Sequence, residues 1–143
     1  MTEDRFGLQR FVDAQEDAAI YARALGELLE GRKRGHWIWF VFPQITGLGS
    51  SPMSRVYAIG SLEEARAYLA HPILGPRLHE CCEALLATAP SLSANQILGS
   101  IDALKLRSSM TLFLRAAPED QIFSDVLTRF YASEPDPETD HRL

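Results

Sequence analysis

Gly35-His36-Trp37-Ile38-Trp39-Phe40-Val41-Phe42-Pro43-Gln44 is the stretch on which the fold class turns. Six consecutive large apolar residues, both tryptophans of the chain among them, run from Trp37 to Phe42 and stop at a proline. Aromatic and β-branched enrichment leans toward strand, yet so short a run has no period that separates a buried strand from a buried helix. A strand also needs a partner, since buried N–H and C=O groups without one are costly. No convincing pair of alternating segments occurs elsewhere, so the reading here is a short buried helix in an all-α fold.

The segments around it repeat helical spacing. Leu8, Phe11, Val12 and Gln15 form one stripe, and Ile20, Leu25, Leu28 and Leu29 another, giving helices over about 5–15 and 17–30. Gly31 can take the left-handed cap conformation, and Arg32, Lys33 and Arg34 read as charges at the negative end of the helix dipole. Ser61-Leu62-Glu63-Glu64 is a capping box in which Glu64 should reach back to the Ser61 amide; its helix stops before His71-Pro72. A helix opened near Pro76 carries Leu78, Cys81, Cys82, Leu85 and Leu86. Ser93-Ala94-Asn95-Gln96 is a second box, closed by Gly99. A long helix follows through Leu104, Leu106, Met110, Phe113 and Leu114, with Asp102 or Ser100 as cap. Pro118-Glu119-Asp120 opens the last helix, through Ile122, Phe123, Val126, Leu127, Phe130 and Tyr131. The expectation is a compact single-domain multi-helix bundle of about six to seven helices over residues 1–132, with an acidic, proline-containing tail at 133–143.

Length and composition fit that picture. The chain has 143 residues, 46% of them hydrophobic and 23% charged, enough for one well-filled core without disulfide or metal staples. The formal charge of −5 is uneven: residues 116–143 carry seven acids and two bases, whereas residues 36–115 carry five acids and six bases. Glu134, Asp136, Glu138 and Asp140 alternate with prolines and polar residues, which reads as an extended, solvated tail. Overall acidity speaks against nucleic acid as a partner. No apolar run approaches the ~20 residues of a membrane span, and MTEDRFGLQR lacks the layout of a secretory signal, so a soluble cytoplasmic protein with no membrane partner is expected. Cys81 and Cys82 are adjacent and read as free thiols in a reducing compartment, and their spacing to His79 matches no metal template. Neither metal nor cofactor is expected.

After the aromatic run comes Gln44-Ile45-Thr46-Gly47-Leu48-Gly49-Ser50-Ser51-Pro52-Met53-Ser54-Arg55. Two glycines two apart, followed by hydroxyls and an arginine, are the ingredients of a loop whose amides face an anion. Without a Walker lysine or a strand-to-helix setting, a plain connecting turn is the competing reading.

Several strings together resemble a bacterial family, the domain of unknown function numbered eighteen-ten: His36-Trp37-Ile38-Trp39-Phe40, Phe42-Pro43-Gln44, Gly47-Leu48-Gly49-Ser50, Ser54-Arg55 with Tyr57-Ala58-Ile59, Glu64-Ala65 with Tyr68-Leu69, His71-Pro72 with Leu74-Gly75, Arg77-Leu78, and Asp102 with Lys105-Leu106 and Ser108-Ser109-Met110-Thr111-Leu112-Phe113. The resemblance spans about Leu8 to Tyr131. It implies a compact, mainly helical domain and supplies no established activity. Some members carry a "calpastatin" label, which suits a disordered repeat chain and not a packed domain.

Polar residues inside these strings are the site candidates, because a buried polar group without a partner costs about 1–3 kcal/mol. Trp37, Gln44, Ser50, Ser54, Arg55, Arg77, Lys105 and Ser109 are the ligand-binding candidates. His36 and Asp102 are weak catalytic candidates. Two arrangements compete. In one, Arg55, Arg77 or Lys105 pairs with Asp102 or Glu64 and ties helices together. In the other, these residues line a cleft beside the glycine loop, with Trp37 or Trp39 as a stacking wall and the cations for an anionic ligand. Lys105 and Ser109, one turn apart, can converge on one point. His36 reads either as a core histidine bonded to a carbonyl or as a general base. The leading functional reading is a domain that binds a small anionic ligand, phosphorylated or nucleotide-like, near loop 44–55, as a monomer or weak homodimer. The alternatives are a protein-interaction module that uses the acidic tail or an exposed aromatic patch, and an N-glycosidase acting on ADP-ribose-type groups. The latter rests on a likeness of the Glu64-Ala65 and Leu74-Gly75 arrangement to ADP-ribosyl-glycosidase domains, by analogy alone.

Overall fold

Asp4 starts the first helix by taking the Leu8 and Gln9 amides on its carboxylate, at 2.7 and 2.9 Å; the computed structural model describes residues 4–143. Helix α1 (Gln9–Glu16) buries Phe11, Val12 and Gln15, the face its stripe predicts. A 3-10 turn at Asp17–Ala19, with Ala18 and Ala19 both at positive φ, leads into α2 (Ile20–Glu30). Gly31 ends α2 at φ 75°, the left-handed cap its position called for.

The aromatic run folds as expected into a short buried helix, α3 (Ile38–Val41). Gln15 holds it to α1 by donating to the Phe40 carbonyl at 2.7 Å. Beyond Pro43 the chain extends: the Ile59 amide donates to Gln44 and the Thr46 amide to Ile59, at 2.8 and 2.9 Å, around a parallel bridge between Ile45 and Ile59. The bridge shuts the base of a loop that carries α4 (Pro52–Val56), capped by Ser51.

Next come α5 (Leu62–Ala70), α6 (Leu74–Leu86), α7 (Ala94–Leu98), α8 (Ser100–Ala116), α9 (Gln121–Tyr131) and α10 (Pro137–His141). The fold is all-helical, with more helices than the six to seven expected. The additional α4 and α10 are five residues each, too short to show a hydrophobic period, and are started by Ser51 and Asp136. The Ser93–Gln96 box forms in both directions. The Ser61 box forms in one: Ser61 accepts from the Glu64 amide, but Glu64 reaches the Gly60 amide at 3.0 Å and the Arg10 guanidinium at 3.0 Å. At the start of α8 the cap is Gly99, without a side-chain bond, in place of Asp102 or Ser100.

Helix α8 packs against α3, α5, α7, α9 and α10. Aromatic rings continue through the core from Phe11 to Tyr68, Phe113 and Phe123, with centroids 5.1, 5.4 and 5.7 Å apart. Cys81 and Cys82 are free and buried in α6, and burial pushes the Cys81 thiol up to about 12. The α5–α6 seam closes on Gly75, where a Cβ would stand 2.1 Å from the Leu69 carbonyl oxygen.

The C-terminal stretch is mostly exposed, as its composition suggests, but it is not extended: it carries α10, which docks on α8. Asp136 caps α10, accepts from Ser108 Oγ at 3.0 Å and donates its amide to Thr111 Oγ1 at 2.8 Å. Arg115 forks onto Asp140 at 2.9 and 3.0 Å, and Arg107 donates to the Glu134 and Pro135 carbonyls. Asp136 and Asp140 are taken up by partners on α8 that lie about 25 residues away in sequence, a distance over which local composition carries no signal.

Candidate functional site

The loop between Gln44 and Ile59 folds down over α3 and leaves a cavity of about 10 Å³, lined by Trp39, Gln44, Ile45, Gly49, Ser54 and Tyr57. That is room for one water-sized sphere. Gly49 makes the closure possible, since a Cβ there would lie 2.4 Å from Ser54 Oγ. Ser54 in turn shares a hydroxyl bond with Ser51 at 2.9 Å.

Trp39 is the distinctive wall. Its indole N–H is buried and has no acceptor among the described residues. The ammonium of Lys105 lies 5.1 Å from the ring centroid, within cation–π range. One turn further along α8, Ser109 is fully buried and its hydroxyl is likewise unpaired.

Asp102 stands behind Lys105. Its carboxylate meets Lys33 at 2.8 Å and Lys105 at 3.4 Å. It is a counter-ion between two lysines. Lys33 is largely buried and lies 5.1 Å from the Trp37 ring centroid. Trp37 does not line the cavity: it is core, with its N–H given to Glu27 at 2.9 Å. Glu27 also accepts the Arg34 and Gly35 amides, at 2.8 and 2.9 Å. Burial pushes its carboxyl up, but these N–H donors and Lys33 more than offset that and hold it below the usual carboxylate value.

The structure therefore brings together Gln44, Ser54, Lys105 and, in place of Trp37, Trp39. Ser50 and Arg55 lie on the exposed outer face of the loop, and His36 is exposed rather than in the core. Arg77 is elsewhere: it pairs with Glu16, donates to Gln15 at 3.2 Å and stacks 4.6 Å from the Tyr21 centroid, tying α6 to α1 and α2. Among the described residues no helix is long and apolar enough to cross a membrane.

The match to a protein-family model covers residues 5–143, the C-terminal helix included; the family is described as "Protein of unknown function (DUF1810)". The chain belongs to this family. It is similar along its length to a solved structure, the conserved hypothetical protein Rv1873 from Mycobacterium tuberculosis, with 51% identity, 98% of each chain covered and a TM-score of 0.94. No curated protein matches the chain.

Two residues at this site of the DUF1810 chain carried no sequence signal. Lys33 sits in a run of three cations that reads as capping charge. Arg142 sits in the supposed tail, yet its guanidinium donates to the Gly47 carbonyl at 3.3 Å. Gly47 allows this by lacking a side chain, since a Cβ there would lie 2.9 Å from Arg142 Nε.

Proposed function

We propose that the protein binds a small anionic ligand, phosphorylated or nucleotide-like, at the rim of the cavity under loop 44–55. The observation that carries this reading is Trp39, which lines a cavity one water wide, has a buried indole N–H with no acceptor among the described residues, and carries the Lys105 ammonium 5.1 Å from its ring centroid. Leaving such a donor unpaired costs about 1–3 kcal/mol, and an oxyanion satisfies it together with Lys105. Two side chains of the lining agree: Gln44 and Ser54 carry hydrogens to donate. Size limits the ligand. Pockets that enclose a drug-sized molecule run to roughly 300–1,000 Å³, so this cavity admits at most one oxygen of the anionic group and the remainder lies on the outer surface of the loop.

A thermal-shift series with inorganic phosphate, sugar phosphates and ADP-ribose tests the reading. At least one of them stabilises the wild-type protein, and Trp39→Phe, which keeps a ring and removes the N–H, shrinks the shift, as does Lys105→Ala. Absence of any shift in the wild type, or an undiminished shift in both variants, overturns it.

A further inference from the structure

We infer that Arg142, carried to the loop by the C-terminal helix, is a ligand-binding cation of this site and that the group it receives is a phosphoryl group. The inference rests on the proposed anion site and names its outer half.

Arg142 is placed with some precision. Asp136 anchors the start of α10 on Ser108 and Thr111, and Asp140 locks its end to Arg115. Between them Thr139 is fully buried. The result sets a guanidinium against the backbone of Gly47, at φ 98°, where the absence of a Cβ leaves the space it occupies.

Donors outnumber acceptors at this point. Of the five N–H groups of a guanidinium, three are used, on the Glu138 carbonyl, the Glu138 carboxylate and the Gly47 carbonyl. Two remain without a partner among the described residues. The amides of Gly47, Gly49, Ser50 and Ser51 likewise donate to no acceptor among the described residues. Residues 44–60 contain no acid and include the exposed Arg55. Glu138, which shares Arg142, is the one carboxylate in contact with it among the described residues. Several free donors and a fixed guanidinium around one short backbone segment suit a group with three acceptor oxygens and more than one negative charge, which is a phosphoryl group.

Calorimetric titration of the 143-residue chain with pyrophosphate at low ionic strength decides it, using wild type, Arg142→Ala, Arg142→Lys and, as a remote exposed control, Arg23→Ala. The expected result is binding to wild type and to Arg23→Ala with the same affinity, at least tenfold weaker binding to Arg142→Ala, and partial recovery in Arg142→Lys. The helical circular-dichroism signal and the unfolding midpoint of Arg142→Ala stay at wild-type values. Equal affinities for wild type and Arg142→Ala overturn the role of Arg142 and leave the anion site standing. No binding to wild type, with no shift by the other anions, overturns both.

Discussion

Gly75→Ala tests the packing of the α5–α6 seam with the smallest possible change. The added methyl would lie 2.1 Å from the Leu69 carbonyl oxygen and 3.0 Å from its carbonyl carbon. Ordinary contact begins at 3.4 Å, so the two backbones must separate by about 1.3 Å, the difference of the two distances. A side chain could rotate out of the way; a carbonyl inside α5 cannot. Only His71, Pro72 and Ile73 connect the two helices, so the strain passes to the seam that buries Ala65, Tyr68, Leu74 and Leu78. Overpacking of cores costs typically 1–3 kcal/mol, and a backbone-on-backbone clash belongs at the upper end, about 3 kcal/mol. For a chain of this length that lowers Tm by about 9 °C, at roughly 3 °C per kcal/mol. Gly26→Ala is the matched control: Gly26 lies inside α2 with nothing within 4 Å of its added Cβ. There the same methyl stabilises by about 0.5–1 kcal/mol through helix propensity. Urea unfolding followed at 222 nm reads both variants. A Gly75→Ala midpoint within 1 kcal/mol of wild type, or loss of stability in Gly26→Ala, would refute the steric reasoning.

Ala132 ends α9 at φ 54°, a left-handed position that costs an L-residue roughly 1–2 kcal/mol. Ala132→Gly relieves it, less the added chain entropy of glycine, for a net gain of about 0.5 kcal/mol; a lower Tm in the variant would contradict this. Glu27 has its carboxyl held below the usual value by the Gly35, Arg34 and Trp37 donors, against the opposing push of burial. Its contribution is therefore present above the unfolded-state pKa and is lost as pH falls through the folded one. Urea titrations between pH 6 and pH 3 should show a steeper acid loss in wild type than in Glu27→Gln, and parallel curves would count against it.

Much of the helical order was legible because its signals are local. Gly31, the Ser93 box and Pro72 act within four residues of themselves, and each sits at the boundary it marks. The buried one-turn helix followed from an accounting of backbone partners rather than from propensity. What stayed hidden depends on direction or distance. Trp37 and Trp39 are two residues apart in a run with no usable period, so the sequence does not tell which indole joins the core and which meets the loop. Arg77 and Lys105 are both cations in apolar helices; that one meets Glu16 and the other Trp39 is decided by how α6 and α8 cross the molecule. Asp136 reads as one more tail acid until Ser108 and Thr111 are seen on the facing side of α8. Those two hydroxyls were themselves an available sign, because polar residues in the buried part of a helix require partners.

The docking of α10 sets an order of events during synthesis. Loop 44–55 leaves the ribosome early, whereas Arg142, which lies against Gly47, follows it 95 residues later. Folding that proceeds from the N-terminus as the chain emerges therefore completes the loop's surroundings late, after α5 to α9 have been made.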